Sequence, residues 1–169
     1  LYTKTGRYAD AEPLLKRVLA ITEKSLGPEH PDIASSLDSL GGLYYRTGRY
    51  AEAEPLFKRA LTIREKTLGF EHPDTATSFD SLGALCDETG RYAEAEPLLK
   101  RALAIREKSL GPEHPDTATS LNNLASLYRE TDRYAKAESL EKRALSIRKK
   151  TFGPEHPATA GSLGNLALL

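Results

Sequence analysis

One motif recurs along the whole chain at a fixed interval. The segment GRYAEAEPLLKRAL at Gly90–Leu103 returns almost unchanged at Gly48–Leu61 and Gly6–Leu19, and in a weaker form at Asp132–Leu145, so that successive copies start 42 residues apart. A constant period of this size is typical of an array of identical supersecondary units, each of which buries its apolar face only against its neighbours. The chain is therefore expected to fold as a linear array.

Each repeat contains two stretches with the apolar periodicity of an amphipathic helix. The first, termed helix B, covers residues 8–26 and carries Pro13 near its start, where we expect a slight bend and no break. The connector LGPEHPD follows, and its glycine and prolines end that helix and begin the next, termed helix A, at Pro31. The sequence predicts B helices at 8–26, 49–68, 91–110 and 133–152, and A helices at 31–47, 73–88, 115–130 and from 157 onward.

Composition and charge exclude several classes of protein. The 169 residues include 24 Lys and Arg against 24 Asp and Glu, so the chain lacks the overall positive field that binding to nucleic acid or to an anionic membrane requires. No apolar run is long enough to span a bilayer. The single cysteine, Cys86, cannot form an intrachain disulfide, which favours a reducing, cytoplasmic location. Residues 1–5 fit the last turn of an earlier helix A, so we expect a piece of a longer protein.

Large and small apolar residues occupy fixed positions of the helix pair and resemble the code of tetratricopeptide (TPR) repeats, in which small residues let helices approach closely. The common TPR period is about 34 residues, and here the connector lengthens it to 42. With phrases such as LYRETDRYAKAE and HPDTATSLNNLA, this longer form is similar to the repeats of kinesin light chains and of related bacterial and nephrocystin-type arrays. The matching residues are Leu37, Leu40, Gly41, Tyr44, Ala53, Phe57 and Ala60.

The resemblance implies an all-α fold, a right-handed α-solenoid whose concave groove is lined by A helices, with B helices outside. It implies a protein–protein interaction scaffold that binds a peptide or protein segment in that groove. The resemblance covers essentially the whole chain as a single TPR array, with a partial repeat 1 at 1–26, repeats 2, 3 and 4 at 31–68, 73–110 and 115–152, and a partial repeat 5 at 157–169.

An internal comparison indicates which helix is specialised. Residues 48–89 and 90–131 differ at eleven positions, seven of which lie between Phe79 and Asp87, inside helix A. Helix B is almost identical in the two copies. This asymmetry is expected if B helices are structural and A helices present a surface adapted to a ligand; the alternative is chance drift between recent duplicates.

Groove-facing candidates are the residues of helix A that lie off the apolar stripe and away from helix B. Asp38 and Asp80 among them make the middle of the groove acidic, so we expect a ligand with basic or polar side chains near repeats 2 and 3, bound as an extended segment or a helix. The alternative is that these charges only solvate a surface. The candidates are Ser35, Asp38, Tyr45, Arg46, Thr77, Asp80, Asp87, Glu88, Thr119, Asn122, Ser126, Arg129 and Glu130.

Other motifs favour structural roles. The four histidines occur once per repeat in separate connectors, without a second ligand at HxxxH or CxxC spacing, so we expect them to cap the following helices and predict no metal or cofactor. Cys86 lies on an apolar stripe and is expected in the core. The sequence has no GxxxxGK[ST], GxSxG or HExxH motif, which argues against an enzyme. The histidines are His30, His72, His114 and His156.

The two ends suggest a second function. The last helix A, from residue 157, has no helix B after it, and the first helix B, at 8–26, lacks most of its helix A. Each end therefore exposes an apolar stripe, and the stripes are complementary. We expect isolated chains to associate end to end, a heterologous contact that can extend into a filament. In a longer protein the same surfaces meet flanking repeats.

Repeat 4 departs most from the pattern. Asp132 replaces the turn glycine, and Glu141 takes the position of Phe57 in the core. We expect this repeat to fray first, because Glu141 must reach water or find a polar partner.

Overall fold

The computed structural model describes residues 8–169, which form eight α-helices and no strand. The all-α prediction is confirmed, and the helices begin and end within about two residues of the predicted positions. The prediction for residues 1–5 lies outside the described residues. The B helices are α1 (Tyr8–Leu26), α3 (Tyr50–Thr67), α5 (Tyr92–Ser109) and α7 (Tyr134–Phe152), and the A helices are α2 (Pro31–Arg46), α4 (Pro73–Glu88), α6 (Pro115–Glu130) and α8 (Pro157–Ala167).

The helices stack as a solenoid. Each helix packs against the next one along the chain, most extensively within the pairs α2–α3, α4–α5 and α6–α7. The A helices α2, α4 and α6 also contact one another in succession, whereas no contact of similar extent joins successive B helices within residues 8–169. Closer approach on the A side places the A helices on the inner surface of the curved stack and the B helices on the outer surface.

Each connector ends in a histidine that caps the following A helix, as the sequence predicts. The Nδ1 atom of His114 accepts a hydrogen bond from the backbone N–H of Asp116 at 3.2 Å, which satisfies one of the free donors at the start of α6. His30, His72 and His156 make the equivalent bond at 3.1–3.2 Å. A proline at the first helical position fixes a helical φ, so the connector ends in the same way in every repeat.

Small residues allow close approach between helices. Ala53, Ala95 and Ala137 have no exposed surface. Gly41 of α2 lies directly against Phe57 of α3, so that a methyl group added to this glycine would lie 2.7 Å from the Cε1 atom of the ring. The core therefore depends on the absence of side-chain volume at these positions as much as on the large residues. Cys86 is buried in this core as a free thiol, as predicted.

Ion pairs on the flank of the solenoid connect neighbouring repeats. Arg49 contacts Glu12 of the preceding repeat at 2.6 Å and lies over the ring of Tyr44, 4.1 Å from its centroid. Hydrogen bonds from Arg49 and Lys16 lower the pKa of Glu12 to about 2. The same inter-repeat pair recurs as Arg91–Glu54 at 3.1 Å and Arg133–Glu96 at 2.8 Å.

Repeat 4 accommodates its two departures. Asp132 takes a left-handed φ of 58°, close to that of the glycine Gly90 at 73°. Glu141 is buried and accepts hydrogen bonds from the side-chain amides of Asn122 and Asn165, so it satisfies its carboxylate inside the protein and not in water. Burial raises the pKa of Glu141. That this repeat frays first remains a prediction.

Candidate peptide-binding groove

Two cavities open on the side of the A helices and contain most of the predicted groove residues. Cavity 1, of about 310 Å³, lies across α2, α4 and α6. Cavity 2, of about 230 Å³, lies between the C-terminal ends of α4 and α6. Cavity 1 is lined by six of the predicted residues, Asp38, Tyr45, Arg46, Thr77, Asp80 and Thr119. Cavity 2 is lined by five of them, Asp87, Glu88, Ser126, Arg129 and Glu130.

Cavity 1 owes its space to small residues at one repeating position. Gly42 of α2 and Ala84 of α4 are 42 residues apart and both line the cavity, together with the ring of Phe57. Apart from the local backbone of α2, no atom lies within 4 Å of the point where a Cβ on Gly42 would be. Cavity 1 is thus open at this position, and a larger side chain there would fill it.

Two buried arginines of the B helices pair with the two aspartates that line cavity 1, and one of them, Arg106, lines the cavity itself. Arg64 of α3 donates to Asp38 of α2 at 2.5 Å and to the hydroxyl of Ser78 of α4 at 2.6 Å. Arg106 of α5 repeats this arrangement with Asp80 of α4 and with Ser120 of α6, the latter at 2.7 Å. Each guanidinium therefore connects two successive A helices through a B helix.

These ion pairs correct the expected charge of the groove. Asp38 and Asp80 do not contribute uncompensated negative charge, because each carboxylate pairs with an arginine that is itself buried. The prediction that these two residues make the middle of the groove acidic was therefore wrong. The pairs instead give cavity 1 a polar but locally neutral base.

The excess negative charge lies in cavity 2. Asp87, Glu88 and Glu130 face the single cation Arg129 there, whose guanidinium donates to Glu130 at 3.3 Å and to Ser126 at 3.4 Å. Burial, reinforced by the charges of Glu130 and Glu88, raises the pKa of Asp87 to about 6, against the opposing effects of Arg129 and Ser126.

The position of these acids also conflicts with helix electrostatics. The C-terminal end of a helix carries partial negative charge and favours basic residues, typically by 0.3–1 kcal/mol each. The last turn of α2 carries Arg46 and that of α6 carries Arg129, whereas α4 ends in Asp87 and Glu88 with no basic residue. Local stability therefore does not account for the acidic end of α4.

The structure places two predicted residues outside both cavities. Ser35 is exposed near the start of α2. Asn122 donates to Glu141 of α7, and the next residue, Asn123, lines cavity 1 in its place. Asn122 lies outside both cavities because its side-chain amide donates to the buried carboxylate of Glu141 on the neighbouring helix B.

Sequence reasoning also missed several cavity residues. Gly42 and Ala84 have no polar side-chain group and were passed over because only polar residues off the stripe were considered; Ser81 is polar but was not among the candidates. Arg106 was passed over because it lies on a B helix. A signal existed, since an arginine follows a buried isoleucine in three successive B helices, as Ile63-Arg64, Ile105-Arg106 and Ile147-Arg148.

The part of the chain that the structure describes contains neither a cluster of metal ligands nor a membrane-spanning helix. Within residues 8–169, no group of three or more His, Cys, Asp or Glu side chains could hold a metal ion. Across the same span, none of the helices is both long and apolar enough to cross a membrane.

Comparison with known proteins assigns the family. The family model for the tetratricopeptide repeat matches residues 1–66, 39–108 and 88–150. The chain belongs to the tetratricopeptide repeat family. This confirms the resemblance found in the sequence, and proteins of this family generally act as protein–protein interaction modules. No curated protein matches the TPR array.

Solved structures place the TPR array near kinesin light chain-like repeats. A kinesin light chain-like protein from Podospora anserina with nearly identical TPR-like repeats is 34% identical, with a TM-score of 0.78, 99% of this chain covered and 79% of that chain. BtubC (BKLC) from P. vanneervenii is 25% identical, with a TM-score of 0.82. The match covers 99% of this chain and 66% of BtubC. The N-terminal domain of stress-induced protein-1 from C. elegans shares the fold alone. It is 15% identical with a TM-score of 0.55, and the match covers 81% of this chain and 96% of that domain.

Proposed function

We propose that this TPR array is a non-enzymatic scaffold, working in a reducing, cytoplasmic compartment, that binds a segment of another protein in the groove of the A helices. The observation that carries the proposal is where the repeats differ. Of the seven differences between Phe79 and Asp87, four fall on residues that line a cavity. These are Asp80, Ser81, Ala84 and Asp87. Divergence concentrated on the groove is expected if that surface is selected for a ligand.

The chemistry of the two cavities suggests a ligand with two kinds of side chain. Cavity 1 has small and aromatic residues around a neutral base, with the cation Arg46 in the same lining, which disfavours a basic side chain and suits an uncharged one. Cavity 2 has three carboxylates and one guanidinium, which suits a lysine or arginine side chain. The proposed ligand is therefore a polypeptide segment with a basic residue near the ends of α4 and α6.

The charge preference is testable with an array of synthetic peptides that differ only in Lys, Ala or Glu at one position. We expect Lys peptides to bind best, and the double variant Asp87→Asn/Glu88→Gln to lose about ten-fold in affinity for them, the equivalent of about 1.4 kcal/mol. Glu94→Gln, a carboxylate-to-amide change at an exposed residue of the outer helix α5, is the control. Preferential binding of Glu peptides would contradict the assignment.

The same interaction predicts a pH dependence. Asp87 attracts a cation only when ionised, and its pKa is about 6 in the free protein. Cation binding lowers that pKa, so affinity for the Lys peptide should increase as the pH rises from 5 to 7 and then level off. Glu88, Arg129 and Glu130 face the same cavity and modulate the midpoint. An affinity independent of pH across this range, or unchanged in its pH profile by Asp87→Asn, would exclude Asp87 from the site.

A second candidate function is end-to-end self-association, favoured by the apolar surface at both ends. Val18 and Ile21 of α1 are 48% and 55% exposed, whereas their equivalents Ala60 and Ile63 are 0% and 3% exposed. At the other end Leu163 of α8 is 45% exposed, while its equivalent in α6 is fully buried. A second copy that placed its α1 against α8 would cover both faces.

A further inference from the structure

The two cavities lie at different heights along the same two helices. On α4, cavity 1 is lined by residues within 77–84, and cavity 2 by Asp87 and Glu88. On α6, cavity 1 is lined by residues within 119–123, and cavity 2 by residues within 126–130. The midpoints of these segments are seven residues apart on each helix, at 80.5 and 87.5 on α4 and at 121 and 128 on α6. Since an α-helix rises about 1.5 Å per residue, the offset along the helix axes is about 10 Å.

The cavities are also offset across the groove. Cavity 1 crosses α2, α4 and α6 and is centred near α4, whereas cavity 2 lies between α4 and α6. Packed helices lie about 8–10 Å apart, so this second offset is about 4–5 Å and the centres of the cavities are about 11 Å apart. Burial, reinforced by the carboxylate of Glu88 in cavity 2, raises the pKa of Tyr45 in cavity 1. The two cavities therefore adjoin.

The two cavities favour different side chains. Arg46 and Arg106 in the lining of cavity 1 disfavour a cation there. Cavity 2 has three carboxylates against the single guanidinium of Arg129 and favours a cation. A ligand segment that fills both cavities must present one uncharged and one basic side chain on the same face, about 11 Å apart.

Backbone geometry limits how far apart in sequence these two side chains can be. In a polyproline II segment, with about three residues per turn and about 3.1 Å per residue, side chains three positions apart share a face at about 9 Å. In a β-strand the faces alternate every residue, so side chains on one face lie about 7 Å or about 13 Å apart. In an α-helix, side chains seven positions apart share a face at about 10 Å. The polyproline II and helical spacings fit, because a flexible lysine side chain covers the remaining distance of about 2 Å.

The shape of the groove favours a polyproline II segment over a helix. A bound helix is about 10–12 Å wide and lays a continuous apolar stripe into a hydrophobic groove. Here the groove offers two small cavities, of about 310 Å³ and about 230 Å³, and charged residues dominate the lining of the second. Polyproline II segments instead dock single side chains against aromatic residues, and Tyr45 and Phe57 line cavity 1.

We infer that the groove binds a polyproline II segment in which an uncharged residue and a lysine or arginine are three positions apart, the first in cavity 1 and the second in cavity 2. The inference rests on the proposed function and specifies the sequence motif and the conformation of the ligand. The segment crosses the groove obliquely and runs mainly along the axes of α4 and α6.

A spacing series of synthetic peptides tests this motif. Each peptide carries one leucine and one lysine, in either order and with a different separation, in an otherwise uncharged, proline-rich host with blocked ends. Fluorescence anisotropy with the full 169-residue chain measures the affinity. We expect a maximum at a separation of three, about ten-fold tighter than at separations of one, two or five, because those spacings do not allow both side chains to bind at once.

The double variant Asp87→Asn/Glu88→Gln is the matched control. Asp87 is half-buried and Glu88 is exposed, so circular dichroism should show unchanged helix content. Without the two carboxylates the lysine loses its site, and we expect the maximum at three to disappear, whereas Glu94→Gln on the outer helix α5 retains it. The same leucine–lysine pairs in an alanine-rich host, which favours an α-helix, should bind more weakly.

The outcomes separate the motif from the proposed function. Lysine peptides that bind through Asp87 and Glu88 with equal affinity at every separation overturn the motif and leave the peptide-binding groove standing. A maximum at seven that strengthens in the alanine-rich host overturns the polyproline II conformation in favour of a helix. Failure of every peptide to bind, or binding that the double variant does not weaken, overturns both the motif and the proposed basic ligand.

Discussion

Replacing Arg106 by methionine is expected to lower the free energy of unfolding by about 3–5 kcal/mol, because removing one partner of a buried ion pair leaves the other charge uncompensated. The Arg106 side chain contacts Asp80 of α4, Ser120 of α6 and the backbone carbonyl of Asp116, and it is 6% exposed. Its loss removes hydrogen bonds to two successive A helices at once. Urea unfolding followed by circular dichroism measures the change.

The double variant Arg106→Met/Asp80→Asn is the matched control. It removes both charges, and the chain already carries an asparagine, Asn122, at the equivalent position of repeat 4. We expect it to recover much of the lost stability.

Burial raises the pKa of Asp80. The loss caused by Arg106→Met alone should therefore shrink as the pH is lowered and Asp80 takes up a proton. A loss below about 1 kcal/mol would show that the pair does not link the helices.

Two adjacent glycines of α2 are expected to respond to alanine in opposite directions. A methyl group on Gly41 would lie 2.7 Å from Cε1 and 3.0 Å from Cδ1 of the Phe57 ring, which is itself buried. We expect Gly41→Ala to destabilise the array by about 1–3 kcal/mol through overpacking. Gly42 meets no atom within 4 Å, so Gly42→Ala should stabilise it by about 0.5–1 kcal/mol through the higher helix propensity of alanine.

The pair is informative because both substitutions add the same methyl group to the same helix. Urea unfolding of the two variants under identical conditions compares them directly. If Gly41→Ala also stabilised the array, helix propensity and not the close contact between α2 and α3 would govern this site; if Gly42→Ala destabilised it, the space at Gly42 would not be open to a methyl group.

The helices and their order could be predicted from the sequence because the signals are local and repeated. The connector LGPEHPD places a glycine, a capping histidine and a proline at fixed distances in every repeat, and each of these acts on its own stretch of backbone. Asp132, which replaces the turn glycine in repeat 4, does not disturb the order of the helices, since aspartate tolerates the left-handed conformation that the turn requires.

The charge of the groove could not be predicted in the same way. Whether Asp38 is a free carboxylate depends on Arg64, which is 26 residues away on another helix and reaches it only after α2 and α3 pack together. Asn122 and Asn123 are neighbours with the same chemistry, and the choice between them is made by Glu141 of α7. Tertiary contacts decided both cases.

The open space at Gly42 offers the most direct test of the proposed groove. The backbone at Gly42 leaves room for a Cβ, so Gly42→Leu would project its side chain into cavity 1, and Ala104→Leu would add a similar volume at an exposed position of the outer helix α5. A fluorescently labelled Lys peptide from the array described above, titrated into wild-type protein and both variants, measures the effect. The account predicts at least ten-fold weaker binding to Gly42→Leu and unchanged binding to Ala104→Leu; wild-type affinity in Gly42→Leu, or a loss confined to Ala104→Leu, would contradict it.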